Sequence, residues 1–258
     1  MVHGLKWQSY NLVRKRVQYL SPQGHPLPID SRSYDLWFQH FAIVVNDMDQ
    51  AYKHLQKVDF QAISNAPQTI PLSNKGAAGI KAFKFKDPDG HPLELIYFPA
   101  DKGRAVWHKT NDHLFLGIDH SAIAIENTER SLAFYRDLLG FNITDQGLNS
   151  GDTQEKLDNA FGAVVRITSL RAESSTGPGV EFLQYLTPAG GLAAPVDAKP
   201  DDIAHVHTVL IVDNIKQLAD TLTKYGAKFI SSQVVKFNGT SELMIKDPDG
   251  HAVMLEQP

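Results

Sequence analysis

No cysteine occurs among the 258 residues, so thiolate nucleophiles, disulfides and Cys-ligated metal are excluded and any metal must be held by histidine or carboxylate. There are eleven histidines. Three of them, His40, His120 and His207, each lead an apolar stretch at corresponding places in the chain. Imidazole and carboxylate on one concave face suit Zn, Fe, Mn or Ni, which makes a divalent ion the cofactor to expect.

The elements that must carry these histidines follow from periodicity. His120, Ala122 and Ala124 share one face of a strand, while Ile123 and Ile125 share the other and would pack on a helix. His40 and Ala42 repeat the arrangement. A histidine among small side chains, on the face turned from the helix, predicts a hollow sheet rather than a filled one. Each strand leads into a helix signal. After His120 come Asn127 or Thr128 as N-cap, then Leu132, Tyr135, Leu138 and Leu139, with Gly140 just past the end. After His207 the apolar positions are Ile215, Leu218, Ala219 and Leu222, and after His40 they are Met48, Tyr52 and Leu55.

Two units close on the same hexapeptide, Lys-Asp-Pro-Asp-Gly-His, at 86–91 and 246–251. Proline pre-sets φ in this turn and glycine completes it, so the flanking residues form a hairpin. Phe83, Phe85, Leu93 and Leu95 fall on one hairpin face, and Lys84, Lys86, Glu94 and Ile96 on the other. In the second copy Leu243, Ile245, Val253 and Leu255 oppose Met244, Lys246, Met254 and Glu256. The repeating unit therefore reads βαβββ. Gln18-Tyr19-Leu20-Ser21-Pro22 also matches Gln184-Tyr185-Leu186-Thr187-Pro188, so Leu12 to Leu20 stand for the last strand of one more unit. The first strand and helix of that unit would lie before Met1.

Composition is that of an ordinary soluble chain, 42% hydrophobic and 21% charged, with a net charge of −4. Lys and Arg are dispersed, which leaves no electrostatic footprint for nucleic acid. No apolar run approaches the ~20 residues of a membrane span and no signal-peptide core is present, so the cytoplasm is the expected location.

Leading histidines, the run Phe-Tyr-Arg-Asp-Leu-Leu-Gly-Phe at 134–141 and the Asp-Pro-Asp-Gly-His turns together resemble the vicinal oxygen chelate superfamily of glyoxalase I, bleomycin-resistance proteins and extradiol dioxygenases. The resemblance implies an α+β fold of tandem βαβββ modules, paired into cup-shaped eight-stranded mixed sheets with helices outside. It implies an N-terminal domain at 1–105 whose first module is truncated, and a complete C-terminal domain at 106–258. A second copy of the chain, or a longer natural protein, would supply the missing strands of the N-terminal sheet.

Family ligands come from the first and fourth strands of each module, which implies His120, Glu181 and His207 as metal ligands. Met254 falls at the fourth ligand position, with Glu256 two residues on as a substitute. His40 and Glu94 would be two ligands of a broken site, because Lys15 stands where the first half needs a counterpart of Glu181. The implied function is a metal-dependent enzyme of glyoxalase or dioxygenase type, acting on a small substrate chelated through neighbouring oxygens. The alternative is a metal-free binding protein of the bleomycin-resistance kind. Ring-cleaving members carry a tyrosine three residues before the Asp-Pro, where this chain has Lys84 and Met244.

Overall fold

The computed structural model describes residues 21, 24–109, 112–173, 176–195 and 197–258. The first unit runs β1 (Gln39–Val45), α1 (Met48–Leu55), β2 (Gln61–Ala62), β3 (Gln68–Thr69), β4 (Lys81–Lys86) and β5 (Pro92–Tyr97). The second runs β6 (Phe115–Ala124), α2 (Thr128–Leu132, continued by a π-helical turn at Ala133–Leu138), β7 (Phe141–Ser150), α3 (Asp152–Asp158), β8 (Val164–Ala172) and β9 (Gly179–Thr187). The third runs β10 (His207–Ile211), α4 (Ile215–Tyr225), β11 (Lys228–Phe229), β12 (Val235–Phe237), β13 (Thr240–Lys246) and β14 (Ala252–Gln257). No helix among the described residues is long and apolar enough to cross a membrane.

Helix limits follow local chemistry. Asp47, Asn127 and Asn214 cap α1, α2 and α4, each accepting the backbone N–H three residues on. Gly226 ends α4 at φ 81°, a conformation that favours glycine.

Two open mixed sheets result. The larger is ordered β2-β4-β5-β1-β6-β9-β8-β7, with β3 also on β4. It consists of the first two units joined edge to edge where β1 meets β6 antiparallel. The smaller, β10-β14-β13-β11 with β12 on β13, is the third unit alone. This differs from the pairing expected from the sequence, which joined the second and third units into one cup. It also gives β1 a neighbour from its own chain, where a second copy was the expected one. The reason lies on the back of the larger sheet. Ile123, Phe134, Tyr135, Val180 and Phe182 bury against Leu210, Leu218, Leu243, Ile245, Val253 and Leu255 in one apolar cluster. At about 1.5–3 kcal/mol for each large side chain buried, this contact docks the third unit behind the second and leaves the edge of β6 to β1. Residues 12–20, read as the last strand of a truncated unit, lie outside the described residues.

The front of the larger sheet is curved. Lys84 on β4 and Tyr185 on β9 both hydrogen-bond the carboxylate of Asp158. Three strands separate β4 from β9, which on a flat sheet is about 19 Å at the usual spacing. The two halves must therefore bend toward one another to form a cup, and α3 sits across it.

Candidate metal centre

Strand register builds the centre. On the front face, Ala42 lies opposite His120 and His40 opposite Ala122 across the β1–β6 seam. Ala42 also lies beside Glu94 in the parallel β1–β5 pair, and Ala122 beside Glu181 in β6–β9. Both alanines are fully buried, and their short side chains leave the space into which the four longer ones reach. His40 Nε2 is 3.4 Å and His120 Nε2 3.8 Å from Glu94 Oε2, while His120 Nε2 is 3.5 Å from Glu181 Oε1. His40, Glu94 and His120 are all buried, and one ligand atom from each lies within 4.8 Å of the others.

Two supporting contacts orient this set. Asp119 Oδ2 lies 3.1 Å from His120 Nδ1, which fixes the ring so that Nε2 faces the carboxylates. Trp107 Nε1–H donates to Asp119 Oδ1 at 2.7 Å and holds it in turn. Ser169 Oγ–H donates to Glu181 Oε2 at 3.1 Å.

Charge is distributed unevenly. Burial pushes the His40 ring below its ordinary pKa despite nearby Glu94, which favours neutral imidazole with a lone pair available. Burial also disfavours a charged His120, but Glu181 and Asp119 outweigh it and hold that ring up to about 9. Glu94 is buried, which opposes ionisation, yet His40, Lys84 and His120 bring it down to about 2. His40 Nδ1 and Nε2 and His120 Nε2 are buried with no hydrogen-bond partner among the described residues. An unsatisfied buried polar atom costs about 1–3 kcal/mol, and here the two Nε2 atoms border two carboxylates. Two imidazoles and the Glu94 carboxylate, with Glu181 beside His120, are a donor set that suits a divalent ion.

Of the residues singled out in the sequence, the structure thus gathers His120, Glu181, His40 and Glu94. His207 is not with them. Leu210, Val253 and Leu255 of the third unit face the larger sheet, so by alternation His207, Met254 and Glu256 face away from it. The expected trio is therefore split, with His120 and Glu181 on the front of the larger sheet and His207 on the face of the smaller one turned from the shared apolar cluster. His207 Nδ1 lies 3.3 Å from His205 Nε2 instead. Glu94, expected in a broken site, is only 5% exposed. Lys15, which argued against the first half, lies outside the described residues. Asp119 was not singled out at all, and its one signal was that it precedes a strand histidine.

The two hexapeptide turns are structural. Asp87 and Asp247 each accept the backbone N–H groups of residues two and four further on.

A family model described as the Glyoxalase/Bleomycin resistance protein/Dioxygenase superfamily matches residues 117–255. Among solved structures, glyoxalase I from Zea mays superposes with a TM-score of 0.57 at 18% identity, over 84% of this chain and 66% of the maize chain. A putative dioxygenase from Bacillus subtilis subsp. subtilis str. 168 gives 0.51 at 14% identity, over 88% of this chain and 63% of that one. At such identities the likeness is one of fold. The chain spans about two thirds of the maize chain's length. No curated protein matches it.

Proposed function

The chain belongs to the glyoxalase/bleomycin resistance protein/dioxygenase superfamily, and from that membership we propose that it is a metal-dependent enzyme acting on a small molecule bound through two neighbouring oxygens. The observation that carries this reading is the set of partnerless buried nitrogens on His40 and His120, facing Glu94 and Glu181. His40, Glu94, His120 and Glu181 would hold the ion. When bound, it supplies Lewis acidity that polarises the substrate's oxygens.

The chain's own residues divide the remaining work. Asp119 keeps the His120 ring in place. Glu181 is the less enclosed carboxylate, its side chain 18% exposed against 6% for Glu94, and is placed to take a proton from a ligand entering the cup. Lys84 stands where ring-cleaving members carry a tyrosine, which favours lyase or isomerase chemistry over dioxygenation.

Elemental analysis of the purified protein tests this first, with one divalent ion per chain expected. Activity is then screened with 2-oxo compounds and with catechols, and turnover of the former is expected. A protein that takes up no divalent metal would leave the metal-free binding function instead.

A further inference from the structure

We infer that Lys84 binds substrate in this centre and selects a small molecule carrying a carboxylate beside its chelating oxygen, such as a 2-oxo or 2-hydroxy acid, and that the Asp158 side chain holds the place of that carboxylate. The inference rests on the reading of the centre given above and names the substrate class it takes.

Lys84 is the cross-strand neighbour of Glu94 in the β4–β5 pair. Side chains so placed share a face with Cβ atoms about 5 Å apart, so the lysine stem rises from the cup floor next to a residue of the centre. Its ammonium lies 2.6 Å from Asp158 Oδ1, and neither side chain is more than 4% exposed. Tyr185 O–H donates to Asp158 Oδ2 at 2.7 Å, and Gln154 Nε2–H donates to the same oxygen at 2.6 Å. Three donors from β4, β9 and α3 thus converge on one carboxylate. Burial works against the ammonium, but Asp158, Glu94 and Glu181 outweigh it and keep Lys84 charged.

Stability does not require such a cluster. A buried ion pair gains little over an apolar pair of similar size, because desolvation offsets the attraction. A cation kept beside the centre has a use if the ligand is an anion.

The surroundings of Asp158 provide a way in. It ends α3, a seven-residue helix bounded by Gly151 at φ 78° and by Asn159 in the left-handed region at φ 50°. A cavity of about 470 Å³ borders this helix, lined by Asn74, Leu148, Asn149, Thr153 and Gln154 among others. Gln154 is the wall between cavity and cradle. Its Nε2 holds Asp158, while its Oε1 is buried without a partner among the described residues. A carboxylate arriving through the cavity has to turn Gln154 aside and displace Asp158 to meet Lys84 and Tyr185.

The test is calorimetric titration of pyruvate and of its neutral amide into the full chain, metal-free and manganese-loaded, with metal content measured on the same samples. Pyruvate is expected to bind about tenfold or more tighter than pyruvamide, as a hydrogen bond to a charged group warrants. Lys84→Met should bring the ratio close to one while manganese uptake is retained. If that variant does not fold, Lys84→Met with Asp158→Leu removes both charges and should give the same loss. Asp158→Asn should tighten pyruvate several-fold, because the internal competitor loses its charge; a purely structural bridge predicts no tightening. Equal binding of the two probes by the parent chain, a preference that survives loss of Lys84, or weaker or unchanged pyruvate binding by Asp158→Asn would each overturn the inference. Failure to take up manganese would remove the metal reading separately, and the ratio on metal-free protein would still decide the role of Lys84.

Discussion

Strand pairs β1–β5 and β10–β14 come from the same template, with a leading histidine, the same turn and the same parallel register, in which the residue two after the histidine sits beside the fourth-strand position. In the first pair these are Ala42 and Glu94, and in the second Val209 and Met254. The surroundings differ more than the templates do. β1 joins β6, which brings a second histidine and a second carboxylate to the same cup, whereas the third unit docks through its apolar face behind the second unit. A single unit positions a histidine, and two units meeting at their leading strands make a centre. The same contrast separates the two turns. Asp89 is exposed, while Asp249 is buried and accepts from Arg130, Ser131 Oγ–H and the backbone N–H of Glu126.

The largest effect should come from the carboxylates. Glu94→Ala removes a buried ligand and is expected to weaken zinc binding by at least about 100-fold in a competitive chelator titration, exceeding what loss of a supporting residue costs. Glu256→Ala should leave zinc binding unchanged. Equal losses would erase the distinction between the units.

Next come the turns. Asp249→Ala leaves a buried hydroxyl and a backbone N–H without their acceptor, and is expected to lower the unfolding free energy by about 2 kcal/mol in urea. The exposed share of the Arg130 contact adds little to that figure. Asp89→Ala should stay within about 0.5 kcal/mol of the parent. A large loss at Asp89 would show that the first turn also clamps something.

The smallest effect is expected from Met254→Glu. It gives the third unit the carboxylate that Glu94 gives the first, but Val209 fills the place of Ala42. Metal stoichiometry should remain one ion per chain by elemental analysis. A second bound ion would show that one carboxylate, rather than the meeting of two halves, is what the third unit lacks.

How far the sequence could be read follows from the same contrast. Unit boundaries were legible because alternation, caps such as Asn127 and stops such as Gly140 are local signals. Which leading strand would meet which was not, since His40, His120 and His207 each lead an apolar strand followed by a helix signal in the same order. That choice is made by the apolar backs of the second and third units, through contacts between residues such as Phe182 and Leu243 that lie far apart in the chain. His120 could be placed on its strand from alternation, whereas Glu181 followed only from the resemblance. Glu94 was undervalued because Lys15 was taken to oppose it. Lys84 and Asp158 gave no sign of burial, because patterning assigns charged residues to solvent and only a partner distant in sequence makes their burial tolerable.

The register across the β1–β6 seam has one further consequence. Each histidine faces the other unit's alanine, and each alanine flanks its own unit's glutamate, so the four polar side chains are related by a local twofold axis passing between Ala42 and Ala122. A symmetric frame cannot tell one end of a bound molecule from the other. The asymmetry lies outside the four, with Lys84 and Asp158 beside Glu94 and with Asp119 behind His120. On the proposed function, those flanking groups, and not the four side chains themselves, would set which way round a ligand lies.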